Sequence, residues 1–178
     1  EEALKTGKIV EGTICYTGDL SSPNEVKYTL DYYVKHALEL EALGCHSIAI
    51  KDMAGLLKPL AAKELVSTLT KALHVPLHLH THDSTGAGVS TVLMAAEAGV
   101  DIVDLAIESM SSLTSQPSMN AVVEALRGTK RDTGLSFEEL DELSRYYGRI
   151  RKVYEQFERD MKAPNAEIYK YEIQGGQY

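Results

Sequence analysis

What most constrains the fold of this chain is a repeated beat of short apolar strand, turn and amphipathic helix. Lys8 to Tyr16 is rich in β-branched residues and runs into the turn Thr17-Gly18-Asp19. From about Thr29 the spacing predicts a helix with Leu30, Tyr33, Val34, Ala37 and Leu38 on one face, and Gly44 stands where a left-handed cap belongs. His46 to Lys51 reads as a second strand. The next helix opens near Pro59, a favourable first helical residue, and turns Ala62, Leu65, Val66, Leu69 and Leu73 inward. A third strand lies in Pro76 to Asp83. The helix after it runs from about Ala87 to Gly99 with Val89, Val92, Leu93 and Ala96 inward, and a fourth strand covers Asp101 to Ile107. A Ser-rich loop, Ser109 to Ser118, then leads into a helix ending at Gly128. Alternation of this kind means βα units around a parallel sheet. No G-x-G-x-x-G or other phosphate-binding glycine loop follows a strand, which weighs against a nucleotide fold.

Polar residues gather at the carboxyl ends of these strands: Tyr16 to Asp19, Lys51-Asp52, His80 to Asp83 and Glu108 to Ser112. In a (β/α) barrel that rim carries the chemistry, so the pattern predicts an enzyme. A complete barrel takes eight strands over about 250 residues, and only four strands are legible here. The expected fold is therefore α/β, a partial (β/α)8 TIM barrel of about the C-terminal four βα units. The chain opens within what reads as the end of a helix and closes on Gly175-Gly176-Gln177-Tyr178 without a stop signal, so it is read as a segment. Its two sheet edges would need cover from other chain or from a second copy. Residues 135–178 differ in kind. Ser136-Phe137-Glu138-Glu139 forms a capping box behind Leu135, and Phe137, Leu140, Leu143, Tyr147, Ile150, Val153 or Tyr154, Phe157 and Met161 recur at helical spacing. The division is barrel half at 1–134 and, at 135–178, a long helix beginning an accessory helical region. A final barrel helix is the alternative.

The 178 residues are 44% hydrophobic and 25% charged, enough apolar material for a core. A net charge of -8 without Lys/Arg runs argues against a nucleic-acid polymer as partner. No apolar run approaches a bilayer span and the first residues lack signal-peptide regions, so an intracellular protein with no membrane partner is expected. Cys15 and Cys45, each beside a predicted strand, read as buried thiols.

The chemistry concentrates in Leu77-His78-Leu79-His80-Thr81-His82-Asp83, where three of the six histidines fall within five residues. Strand alternation sends His78, His80 and His82 to one face, so two imidazoles can reach one ion. A strand of partly exposed or hydrogen-bonded core histidines is the competing reading. One unit earlier, Lys51 sits at a strand's carboxyl end and could face the same centre as His80. An ammonium has no acceptor and cannot ligate a metal unless modified; pairing with Asp52 or with a substrate anion is the other possibility.

These residues carry a resemblance. Gly12-Thr13-Ile14-Cys15-Tyr16-Thr17-Gly18-Asp19, Lys51-Asp52-Met53-Ala54-Gly55-Leu56-Leu57-Lys58-Pro59, His80-Thr81-His82-Asp83, Thr114-Ser115-Gln116-Pro117 and Gly175-Gly176-Gln177-Tyr178 resemble, in one register over nearly the whole chain, the carboxyltransferase domain of the pyruvate carboxylases, a biotin-dependent family. The resemblance implies transfer of a carboxyl group from carboxybiotin, carried by a separate domain of the same polypeptide, to the enolate of pyruvate, giving oxaloacetate; ATP and bicarbonate are used in another domain. It implies a divalent metal, Zn or Mn, held by two histidines, an aspartate and a carbamylated lysine. By motif position His80 and His82 are the imidazole ligands and Lys51 the carbamate, which turns a repelled cation into an oxygen donor. His78 would orient or pack, with Asp52, Asp83 and Tyr16 around the site or substrate pocket. The family's aspartate ligand, pyruvate-clamping arginine and proton-shuttling threonine have no counterpart here, so the segment alone should be inactive. The family also implies homotetramers built through carboxyltransferase dimers, and the bacterial cytoplasm is favoured over the mitochondrial matrix of a eukaryote.

Biotin-dependent oxaloacetate decarboxylase and transcarboxylase subunits share the lysine and histidine motifs, but the forms around Tyr16, His80 and Thr114 resemble pyruvate carboxylase more closely. Metal-dependent aldol and Claisen lyases share the His-x-His strand and differ where Lys51 stands. A reading of another class makes the segment a dimerisation or effector-binding module, in which Tyr28, Tyr32, Tyr33 and His36 offer an aromatic surface that could stack on a cyclic dinucleotide; tyrosines half-buried against the sheet are the plainer account.

Overall fold

Four parallel strands stand side by side in chain order, the arrangement produced when every crossover helix returns to the same face of the sheet. The computed structural model describes residues 2–158 and 163–173. Strands β1 (Glu11–Cys15), β2 (Ser47–Asp52), β3 (Leu77–Thr81) and β4 (Ile102–Val103) alternate with helices α1 (Leu30–Ala42), α2 (Pro59–Ala72), α3 (Gly88–Ala98) and α4 (Met119–Leu126). Order β1-β2-β3-β4, never doubling back, is that of a barrel sector and not of a doubly wound sheet.

Local signals fix the helices. Thr29 caps α1 by accepting from the Tyr32 N–H, and Gly44 beyond its end takes φ 91°. Pro59 begins α2, and Gly99 closes α3 in the left-handed region at φ 107°. Ile14, Tyr16, Ile48, Ile50, Leu77 and Leu79 point from the strands into the helix layer, where Tyr33, Ala37, Leu65, Leu69 and Ala95 complete one buried core. Each buried Leu or Ile contributes about 1.5–3 kcal/mol relative to exposure. Alternation leaves Glu11, Lys51, His78 and His80 on the opposite face, the inside of the barrel sector.

Several expectations need adjustment. Strand β4 has two paired residues, not seven, although the Asp104 N–H still reaches the Leu79 carbonyl and Ala106 bridges to Ser118. Cys15 and Cys45 are half-buried free thiols. The long helix, α5 (Phe137–Tyr154), is capped by Ser136, which accepts from the Glu139 N–H while its hydroxyl donates to Glu138. It passes into a 3-10 turn, Glu155–Phe157. Only Leu140 and Ser144 are buried along it, and among the described residues Val153, Tyr154 and Phe157 at its end stay mostly exposed. The segment Asn165 to Lys170 folds back on the rim, with the Asn165 N–H on the Ser84 carbonyl and the Tyr169 hydroxyl on Thr85. Met161 and the motif Gly175 to Tyr178 lie outside the described residues.

Tyr28 and Tyr33 do not form an aromatic surface. Both are buried, Tyr33 stacks on Tyr16 with centroids 5.4 Å apart, and its hydroxyl accepts from the Thr17 N–H. Burial pushes the Tyr33 phenol up to about 12, and pushes Tyr16 higher still. Tyr32 and His36 are half-buried against each other at 4.4 Å. The expected effector platform is thereby reduced to one half-covered pair, because Tyr33 lies on the face of α1 that the sheet requires and Tyr28, just before the helix, is buried as well.

Candidate metal centre

Register places Lys51 of β2 directly beside His80 of β3, and Cys15 of β1 beside Lys51. His82 follows one residue past the end of β3, on the same face as His80. The two rings converge: His80 Nε2 lies 3.3 Å from His82 Nε2. Their outer nitrogens face acceptors. His80 Nδ1 is 2.7 Å from an Asp104 carboxylate oxygen, and His82 Nδ1 is 2.6 Å from the Thr114 carbonyl. A neutral imidazole has one N–H, and here each is needed on Nδ1. Both Nε2 atoms are then bare lone pairs aimed at one another.

Two lone pairs at that distance repel unless a cation or a proton lies between them. A tetrahedral ion with Zn–N bonds of 2.0–2.1 Å would hold two imidazole nitrogens about 3.3 Å apart, so the spacing fits two ligands of one ion. Two imidazoles are fewer donors than the four a tetrahedral ion takes. Among the described residues no group of three His, Cys, Asp or Glu side chains could hold a metal.

Lys51 is partly exposed, and among the described residues no carboxylate lies within salt-bridge distance of it. It is not paired with Asp52, which points to the opposite face and has no exposed surface. Asp52 organises the turn after β2: its carboxylate accepts from the backbone N–H groups of Ala54 (3.3 Å), Leu56 (2.9 Å) and Leu57 (2.9 Å) and from the Thr81 hydroxyl (2.9 Å). Burial pushes its carboxyl up, and these donors pull against that shift. Asp83 is likewise buried, holding the Gly88 N–H at 2.8 Å. Tyr16 is fully buried with its hydroxyl accepting from the Leu20 N–H. These three are buried supports of the rim's loops, a place behind the site and not on the wall of an open pocket.

His78 lies one layer deeper than His80. Its Nδ1 is 3.0 Å from Glu11, and its Nε2 is 3.0 Å from Asp104 but off the line of a good hydrogen bond. Asp104 was not expected at the site. Burial opposes its ionisation, yet the hydrogen bond to His80 and the close approach of the His78 ring outweigh it and hold the carboxyl below its ordinary value. Val103 pairs with Leu79, so the register of β3 and β4 sets Asp104 beside His80, a placement that strand pairing supplies and local sequence does not. The loop that supplies the Thr114 carbonyl is held under tension, for Ser112 and Leu113 sit at φ 73° and 55° without being glycine. Bonds from Ser115 N–H to Ser112 O, Ser112 N–H to Gln116 O and the Ser84 hydroxyl to Leu113 O keep it there.

Comparison with known proteins places this arrangement. The pyruvate carboxylase of Staphylococcus aureus (strain Mu50 / ATCC 700699) is 54% identical over 179 residues, covering 100% of this chain and 16% of that protein. The human mitochondrial pyruvate carboxylase is 48% identical over 181 residues, covering 100% and 15%. This chain thus spans about a sixth of the length of such relatives. Among solved structures, the carboxyl transferase domain of Rhizobium etli pyruvate carboxylase with pyruvate superposes with a TM-score of 0.91 at 48% identity, covering 93% of this chain and 28% of that one. The HMGL-like family model matches residues 12–146. On that match, which runs from the second residue of β1 through β4 and takes in the converging histidines, the chain belongs to the HMGL-like family.

Proposed function

We propose that this segment supplies half of the metal centre at which a pyruvate carboxylase transfers a carboxyl group from carboxybiotin to pyruvate, forming oxaloacetate. The observation that carries the reading is the pair of Nε2 lone pairs, 3.3 Å apart, with both Nδ1 protons fixed from behind. His80 and His82 hold the ion, and Lys51, in register with His80, joins them as a carbamate. The ion, Zn or Mn, supplies electrostatic stabilisation for negative charge developing on the keto oxygen of the substrate. Remaining ligands and the groups that bind pyruvate and biotin come from the rest of the polypeptide, as do the ATP- and bicarbonate-using steps. The relatives' high identity across the whole chain supports this choice over decarboxylase or transcarboxylase subunits.

The reading extends to organisation. Residues 1–134 form the barrel part and 135–178 begin the helical extension, which docks by Arg151 on the Ser109 carbonyl (2.8 Å) and by Ser144 on the Ser109 N–H (3.1 Å). Assembly as a tetramer through carboxyltransferase dimers belongs to the same proposal. In the complete polypeptide, His80→Ala or His82→Ala should abolish oxaloacetate formation while ATP-dependent biotin carboxylation continues, and Lys51→Ala should behave alike. Retained carboxyl transfer in any of the three variants refutes the assigned role.

A further inference from the structure

We infer that Asp104 is a positioning residue for the metal centre, acting through His80 and held in place by a strut that runs from β1. This rests on the reading of His80 and His82 as ligands, and it concerns what aims them.

Asp104 Oδ2 lies 2.7 Å from His80 Nδ1, on the edge of the ring away from Nε2. A carboxylate there cannot share an ion with Nε2 of the same ring, so it acts by fixing the tautomer and the ring plane. His82 receives the corresponding support from a backbone carbonyl, which cannot be removed by substitution. Asp104 is the side-chain half of that pair of supports. Its other oxygen faces His78 Nε2 at 3.0 Å, His78 Nδ1 faces Glu11 at 3.0 Å, and Glu11 accepts from the Ser47 hydroxyl at 2.9 Å. Ser47, Glu11, His78, Asp104 and His80 thus form a polar strut from β1 to the residue after β4, its His78–Asp104 step a close polar contact and the other steps of hydrogen-bond geometry. With nearly half of its side-chain surface exposed, Asp104 contributes little to the apolar core, so its consequences should fall on the site.

The test uses the complete polypeptide with Asp104→Ala, Asp104→Asn and His80→Ala, each reloaded with Mn2+ and titrated by the EPR signal of the free ion. Removing a ligand's outer partner costs about 10–100-fold in metal affinity, and that loss is expected for Asp104→Ala. Asp104→Asn keeps an oxygen to accept the Nδ1 proton and should recover most of it. With saturating Co2+ the Asp104→Asn protein should keep the parent's d–d absorption, because the ligand set is unchanged. Should Asp104→Ala fail to fold, Asp104→Ser, too short to reach Nδ1, takes its place with the same expected loss. Affinity within twofold of the parent in Asp104→Ala or Asp104→Ser, with His80→Ala unable to bind, overturns the positioning role and leaves the ligand assignment standing. A changed Co2+ spectrum in Asp104→Asn overturns it by making Asp104 a ligand. Undiminished Mn2+ binding by His80→Ala overturns the ligand reading itself.

Discussion

Replacing Asp52 by Ala should loosen the turn between β2 and α2 more than any surface change could. Asp52 has no exposed surface and its carboxylate receives the Leu56 and Leu57 N–H groups and the Thr81 hydroxyl at 2.9 Å, with the Ala54 N–H farther off at 3.3 Å. Each buried donor left without an acceptor costs about 1–3 kcal/mol. Three strong bonds and one weak one would sum higher, but part is recovered as the freed turn rotates its N–H groups toward water, leaving about 4 kcal/mol. At 1.36 kcal/mol per factor of ten, that corresponds to amide exchange about 10³-fold faster in residues 53–58. Hydrogen exchange read by mass spectrometry on the complete polypeptide isolates this peptide from the rest. Asp52→Asn, with one accepting oxygen left, should fall between. Acceleration below tenfold in Asp52→Ala would show that the carboxylate does not hold the turn and refute the reasoning.

Two further outcomes follow from the geometry. A methyl group at Gly55, where φ is 69°, would stand 2.6 Å from the His82 carbonyl oxygen; Gly55→Ala should cost about 2–4 kcal/mol through strain and overpacking and, by pushing His82 aside, lower metal affinity at least tenfold, so unchanged Mn2+ binding in a folded variant contradicts the placement. Glu41 accepts the His74 N–H at 2.6 Å and the Val75 N–H at 3.1 Å, bonds that hold its carboxyl below the ordinary 4.5. A depressed carboxyl stabilises above its ordinary value and loses that contribution as pH falls through the folded one. Protection of amides 73–76, corrected for intrinsic exchange, should therefore drop below about pH 4.5, and Glu41→Gln should remove the step; an identical acid limb in both proteins excludes this role.

The βα beat was legible because it rests on periodicity and punctuation: Pro59, Gly44 and Gly99 sit where helices must begin or end whatever surrounds them. His80 and His82 were legible as neighbours because strand alternation is a local rule. Asp104 was not, since it reaches His80 only through strand pairing between segments 24 residues apart in sequence. Lone carboxylates were also ambiguous in one dimension. Asp52 and Asp83 adjoin the motif residues, yet alternation and burial turn them into supports for loops. The tyrosines of α1 failed for a related reason: an aromatic at helical spacing serves a surface or a core equally well until the sheet decides.

The Thr114 carbonyl that aims His82 belongs to the following βα unit, on a loop kept in uncommon backbone angles at Ser112 and Leu113. Both imidazoles are thus steered by the unit that follows theirs, His80 by Asp104 at the end of β4 and His82 by the connection after it. Sequence drift in that connection would be felt as a change in the angle at which the two Nε2 atoms meet, and the loop is therefore a place where evolution could retune what the pair holds without rewriting the histidine motif.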